Sequence, residues 1–533
     1  MNPRRISSLS CSVAFVLCLA TPLTAQGMHR VSVDSFGMQA NSQSGGLVIS
    51  VDGRFTFFSS YADNLVAGDT NGRNDAFIHD QKTGNTTRVS VSSSGVEGNL
   101  DSYGNSISAD GRYVTFSSEA TNLVPFDTNG LKDIFVHDRN TGTTSRVNVA
   151  SSGLQANDVS FTHSISADGR FIAFASAATN LVPFDLNGYW DVFLHDRTLA
   201  TTTRISVTPS GLGANGISYS PVISSDGHFV AFISAADNLV PNDTNIRYDI
   251  LVYDRIAGGL TRASVDSTGL QSNGYCHYPA ISADGRFVTF QSEATNLVPA
   301  DTNDEYDIFV HDRQTGLTTR ASVDSAGVEG DGHHSISSIS DNGRYVAYMS
   351  SSTNLVAGDS DDWDGFLHDR QTGETKIVGL SSAGEQGNNP QFFGVKISGD
   401  GSALIFYSES DNLVPEDTNG FLDVFVSCGP TLSASGTCPG TMLFTASGEP
   451  GESIVFVWGT QTGGYVIPQG LPCASLQLDL VPLFSPQPGY VVAVVSPAGT
   501  ATVAAQISPR ACGNFSLQAV NLDRCTKSNL ITP

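Results

Sequence analysis

The sequence predicts an all-β fold: a seven-bladed β-propeller of four-stranded blades closed by its N-terminal strand, then a small C-terminal β-sandwich. Three observations carry that expectation. A 58-residue unit recurs seven times between Met28 and Cys428, and each copy holds four short strand-like runs. The repeat region also opens on a fourth-strand sequence and closes on a third-strand one. Short strand-rich units at a fixed period cannot bury their own faces and must stack on their neighbours.

Taken in order, the chain begins with Arg4 and Arg5, an apolar stretch at 11–20 and small residues up to Ala25. That is the pattern of a secretory signal peptide over residues 1–25. The stretch is shorter than the roughly 20 residues a spanning helix needs, and no later segment reaches that length. Export to the periplasm, the cell surface or the medium is therefore expected, without a membrane span.

The propeller is expected over 28–428. Its turn residues Asp52, Asp110, Asp168, Asp226, Asp284, Asn342 and Asp400 advance in steps of 58. In the second copy strands are expected at 105–108, 113–117, 133–138 and 146–149. A short Asp-Gly hairpin turn, Asp110-Gly111, joins the first pair, and a Gly-bearing turn at 139–143 joins the second. The second strand is apolar on both faces (Tyr113, Val114 and Phe116), as in a sheet stacked between two others. Radially stacked four-stranded sheets are propeller blades. Residues 30–33 have the fourth-strand pattern and 423–426 the third. Seven of each strand are reached only if the first segment completes the last blade, which removes the open edge.

The recurring Ile-Ser-Ala-Asp-Gly-Arg-(Tyr/Phe)-Val and Asp-Ile-Phe-Val-His-Asp-Arg-x-Thr-Gly resemble the WD-like propeller repeats of the TolB family. The resemblance spans roughly residues 28–428 and implies the propeller rather than an activity. TolB has an N-terminal α/β domain and six blades, whereas this chain passes directly to a strand and counts seven. Its partner-binding role is accordingly not carried over.

The formal net charge is −25, which disfavours nucleic acid and anionic lipid as partners. Most of the excess lies in seven second-to-third-strand connections, placed by strand alternation at one end of the ring. They carry −2 in each of the first four copies and −5, −4 and −5 in the last three. Each holds a short set of oxygen donors of the kind hard cations take. The sets are Asp69, Asn71 and Asp75; Asp127, Asn129 and Asp133; Asp185, Asn187 and Asp191; Asp243, Asn245 and Asp249. The series continues with Asp301, Asn303 and Asp307; Asp359, Asp361 and Asp364; and Asp417, Asn419 and Asp423. One reading is a calcium-binding loop in each blade. The other is that Asp and Asn cap the turn through their own backbone. Docking of a basic partner on the acidic rim is compatible with both.

One His in each of five blades (His79, His137, His195, His311 and His368), replaced by Tyr253 and Ser427 in the other two, is expected to be a packed, hydrogen-bonded residue rather than a ligand. The innermost strands hold Cys276, His163, His277, His334 and Lys396 but no carboxylate, whereas glycan hydrolysis normally takes a carboxylate pair. Hydrolase, zinc-protease and P-loop motifs are absent from the sequence. The expectation is a non-enzymatic binding or scaffold protein for an unidentified protein or cell-envelope ligand. A propeller-type polysaccharide lyase or hydrolase is the alternative. Residues 429–533 carry few charges, β-like runs and four of the eight cysteines. Disulfides are expected there, Cys512 with Cys525 and Cys438 with Cys473, leaving Cys276 and Cys428.

Overall fold

The computed structural model describes residues 27–359, 363–381, 385–389 and 392–428, together with strands between 432 and 527. The expected signal peptide lies outside the described residues, as do Cys438, Cys473, Cys512 and Cys525 with their pairings. The chain divides into two compact units at 429/430.

The first unit is a propeller of seven four-stranded antiparallel sheets. Blade 1 consists of Ser44–Ile49, Phe55–Ser60, Asp75–Asp80 and Asn85–Arg88, innermost strand first. The innermost strands of blades 2 to 7 begin at Ser102, Ser160, Ser218, Cys276, His334 and Phe392. Blade 7 takes its fourth strand from the other end of the chain: Gly27–Arg30 pairs with Asp423–Cys428 in the register Gly27↔Cys428 to Arg30↔Phe425. The expected closure is therefore observed.

Stacking holds the ring together because the apolar clusters span neighbouring blades. Phe55, Phe57 and Ile78 of blade 1 pack with Val114, Phe116 and Phe135 of blade 2. The second strand of blade 1 is buried along its whole length, as its two-sided apolar sequence requires. Each fully buried Phe contributes about 1.5–3 kcal/mol, and only an adjacent blade supplies the covering surface.

The fourth strands sit earlier than expected. In blade 2 the strand is Thr143–Arg146, not 146–149, and the N-terminal one is Gly27–Arg30, not 30–33. One residue beyond the arginine, after Val147 N has donated to Ile134 O, the chain leaves the third strand and folds into a tight turn of its own, closed by the bridge Val149↔Gln155. Of the β-branched residues that resemble strand interior, Val147 stays in the interblade core and Val149 serves the turn.

The Asp-Gly turns press directly on the preceding blade. Gly111 has φ +69°, and a Cβ there would fall 2.2 Å from Phe55 Cδ2. Gly111→Ala is expected to cost about 1–3 kcal/mol in backbone strain, with overpacking added. A urea midpoint equal to that of wild type would refute this contact.

The repeated histidines are structural. His79 Nδ1 lies 2.9 Å from Thr86 Oγ1, and that hydroxyl donates to Val33 O in the connection from the previous blade. The hydroxyl proton is thus committed, which assigns Nδ1–H as the donor to Thr86. The same pair recurs as His137–Thr144, His195–Thr202, His311–Thr318 and His368–Thr375, each at 2.9 Å. Burial holds all five imidazoles below their ordinary pKa, His79 and His368 down to about 4. A histidine kept neutral in the folded state contributes stability that is lost as pH falls through its unfolded value of 6.5 towards 4. NMR titration should show the His79 and His368 ring signals moving near pH 4, and midpoints near 6.5 would contradict the buried Thr–His clamp.

In the second unit, strands are drawn at Ser453–Val466, Gly489–Val494 and Thr500–Ile507, among others. These overlap the β-like runs of the sequence.

Candidate functional site

Because strands alternate, both short turns of every blade lie at one end of the ring and both long connections at the other. The long-connection end gathers the carboxylates singled out from the sequence. In six of the seven blades the structure brings the aspartates of the set together, but around a residue the sequence reading missed.

In blade 1, Arg88 Nη1 lies 3.1 Å from Asp69, 3.1 Å from Asp75 and 2.8 Å from Glu97. Asn71 Nδ2 donates to Asp75 Oδ2 at 2.8 Å and to Gly98 O at 2.9 Å, while its Oδ1 accepts from Arg73 N. Ser90 Oγ donates to Asp75 Oδ1. The asparagine thus caps the turn and ties it to the next connection, and the arginine neutralises the acids.

The clamp repeats. Arg146 pairs with Asp127 and Asp133, Arg204 with Asp185 and Asp191, and Arg262 with Asp243 and Asp249. Arg320 takes Asp301, Asp307 and Glu329. Arg30, from the closing strand, takes Asp417 and Asp423. Asn129, Asn187, Asn303 and Asn419 each donate to the third-strand aspartate of their own blade, and Asn245 donates to Ser272 O. The signal was present in the sequence: one arginine stands 13 residues after Asp75, Asp133, Asp191, Asp249 and Asp307.

Blade 6 departs. Ile377 faces Phe366 where Arg88 faces Phe77, so the arginine position is apolar there. Gln386 Nε2 donates to Asp359 Oδ1 at 3.0 Å. Asp364 opens the third strand, and Asp361 lies outside the described residues.

Two of the clusters, Asp69/Asp75/Glu97 and Asp301/Asp307/Glu329, bring carboxylate oxygens within 4.8 Å of one another, close enough to hold a metal ion. In both, the arginine Nη1 reaches all three acids. Burial pushes Asp69 and Asp301 up to about 6, against the pull of Arg88 and Arg320.

The inner strands line the bore. Each register shifts at a bulge near its middle, where Thr162, Ser220, Tyr278 and Ile336 take left-handed φ of 36° to 52°. At the short-turn end the seven hairpins are strung together by backbone hydrogen bonds. Ala109 N donates to Ala167 O, Ala167 N to Ser225 O, Ala283 N to Asp341 O, and Asp341 N to Gly399 O. Ser225 Oγ reaches Asp341 Oδ1 at 3.3 Å, joining blades 4 and 6. The bore is constricted at that end.

Of the bore residues, Cys276 is a free, buried thiol, which burial pushes up to about 12. His334 is buried and bonded through Nδ1 to Tyr306 O at 3.0 Å. Burial lowers His163 to about 4 and lowers Lys396 as well. His277 stands among aromatic rings at the long-connection mouth.

Also missed from the sequence were residues following the loop prolines. Phe126 and Phe184 are 91% and 89% exposed, each at φ 60°. Ile246, which stands in blade 4 where Gly72, Gly130, Gly188 and Gly420 stand in other blades, is 90% exposed at φ 52°.

No family model and no curated protein matches the chain. Among solved structures it is similar to a putative TolB from Agrobacterium tumefaciens: 18% identity, TM-score 0.33, covering 61% of this chain and 88% of that one. The β-propeller domain of the Trilobed protease from Pyrococcus furiosus shows 12% identity, TM-score 0.44 and coverage of 72% and 95%. Pyrococcus horikoshii acylaminoacyl peptidase shows 12% identity, TM-score 0.42 and coverage of 77% and 59%. At these identities the likeness is one of fold alone.

Proposed function

We propose that this chain is an exported, non-enzymatic binding or scaffold propeller whose long-loop rim is the contact surface for a protein or cell-envelope ligand. The observation that carries this reading is the polarity of the rim. Blades 2 to 4 present Phe126, Phe184 and Ile246 to solvent on left-handed backbone, a conformation costly for bulky residues. Blades 5 and 7 present exposed acids, Asp304, Asp411 and Glu416, beyond the buried clamps. Large exposed apolar groups beside unneutralised charge are what a partner surface offers.

The partner expected is one with a basic patch next to an apolar one. Charge reversal of Asp304 and Glu416 to lysine should abolish capture from an envelope extract at low salt. Phe126→Ser with Phe184→Ser should weaken it at all salt concentrations. Undiminished capture by both variants would eliminate the rim as the surface.

Calcium is a second reading, favoured at the two triads of three carboxylates. An ion there would displace the arginine Nη1 and draw on further oxygens, since calcium takes six to eight. A ligand that binds only the folded state raises the melting temperature by mass action. Equal melting in millimolar calcium and in chelator would rule this reading out.

A further inference from the structure

We propose that the long-connection mouth of the bore is a saccharide-binding arc for neutral, multi-unit glycan chains. The observation is a continuous run of aromatic rings across blades 4 to 6, built from the inner ends of the second-to-third-strand loops and the starts of the innermost strands. Tyr219 and Tyr248 have ring centroids 6.0 Å apart, Tyr248 and His277 5.6 Å, and His277 and Tyr306 6.2 Å. The run continues from Tyr306 to His333 at 4.9 Å and from His333 to Trp363 at 5.6 Å. Tyr275 and Tyr278 flank it, at 5.4 Å from Tyr248 and 6.2 Å from His277.

The rings come from two equivalent positions in each blade. One lies at the start of the innermost strand, the other just before the third strand, where Tyr248, Tyr306 and Trp363 stand. The rings are half-buried, except that Tyr278 and Trp363 are 50% and 36% exposed. Tyr219 and Tyr248 pack against the core between blades 4 and 5, but the rings are not fully covered as Phe58 and Phe77 are.

The chemistry of the arc fits a sugar better than a protein surface. A pyranose has an apolar C–H face ringed by hydroxyls, and it is recognised by aromatic faces with polar groups at their edges. Tyrosine and tryptophan supply both, an apolar body and a polar tip. Polar side chains stand beside the run: Gln291 Nε2 lies 3.3 Å from His333 Nε2, and Glu305 lies 3.5 Å from His333 Nδ1. Glu293 accepts from Tyr275 N, and the Arg247 guanidinium lies 4.4 Å over the Tyr275 ring. The ring-to-ring chain contains no aliphatic member. The carboxylates at and around the mouth exclude anionic glycans by repulsion. A run spread over three blades favours a chain of several sugars over a single one.

The test uses the full chain and four neutral hexaoses, cellohexaose, xylohexaose, mannohexaose and chitohexaose, followed by calorimetry and tryptophan fluorescence. At least one hexaose should bind and perturb Trp363 emission, and its disaccharide should bind about tenfold more weakly or less. Trp363→Ala and Tyr278→Ala, both at exposed positions, should each weaken binding by about tenfold with unchanged melting temperature. Glu416→Lys, on the rim, should leave hexaose affinity unchanged, so failure of the rim reading and failure of this one are separable. No binding of any hexaose up to about 10 mM would overturn the proposal. So would affinity retained in both arc variants, or loss of protein capture in those variants without any hexaose binding.

Discussion

Replacing Arg88 with leucine is expected to destabilise the propeller by about 3–5 kcal/mol at neutral pH, the cost of removing one partner from a buried ionic cluster. Asp69 and Asp75 have 3% and 0% of their side-chain surface exposed, and Arg88 has 10%. Water therefore cannot replace the guanidinium. The loss should shrink in mild acid. Asp69 has its folded pKa raised from 3.8 to about 6 by burial. A carboxyl with a raised folded pKa contributes stability at low pH that is lost as pH rises through the folded value. Without Arg88 the raise becomes larger, so the variant regains stability on going from neutral pH to below 6. Urea unfolding of both proteins at neutral pH and at pH 5 measures this. A difference below about 1 kcal/mol, or one unchanged between the two conditions, would mean that the cluster is solvated and the clamp unimportant.

Deleting residues 27–33 should have a still larger effect, leaving no stable closed monomer. Four paired residues of blade 7 would be lost, at about 1 kcal/mol net for each backbone hydrogen bond. Val31, fully buried, adds about 1.5–3 kcal/mol. Removal of Arg30 leaves Asp417 and Asp423 without their cation, and removal of Ser32 takes away the 2.5 Å bond to Asp423. These losses add up to much of the about 5–15 kcal/mol that holds a typical domain folded. The exposed edge of Asp423–Cys428 would then seek another strand. The truncated chain is expected to melt far lower or to associate, and a synthetic peptide of residues 27–43 should restore the monomer by strand addition. A truncated protein that stays monomeric with the wild-type melting temperature would show that the ring is closed by something other than this strand.

Much of the architecture was legible because a strict repeat states the same physics seven times. Period, Asp-Gly turns and two-sided apolar strands gave blade number, strand order and the closing partner, each set by local chemistry. The packed histidines were legible for the same reason, since a His at the same strand end in five of seven blades is a structural habit, whereas their Thr partners emerge only from the strand register. The C-terminal end of the fourth strand was misplaced because Val149 looks like strand interior and instead closes the turn that follows, while Val147 stays in the interblade core.

The acidic loops show where sequence alone runs out. Asp69, Asn71 and Asp75 are close in sequence, and proximity of oxygen donors by itself suggests a cation. Arg88 comes later, and Arg30 reaches Asp417 and Asp423 only because the ring closes. The aromatic arc depends on tertiary structure in the same way: Tyr219 and Trp363 are far apart in the chain, and only blade stacking strings their rings into one run. Local sequence decides which strand, turn and strained loop a segment forms, because those depend on neighbouring residues. Which charge neutralises which, and which rings share a surface, depends on distances that exist only after the blades have stacked and the two ends have joined.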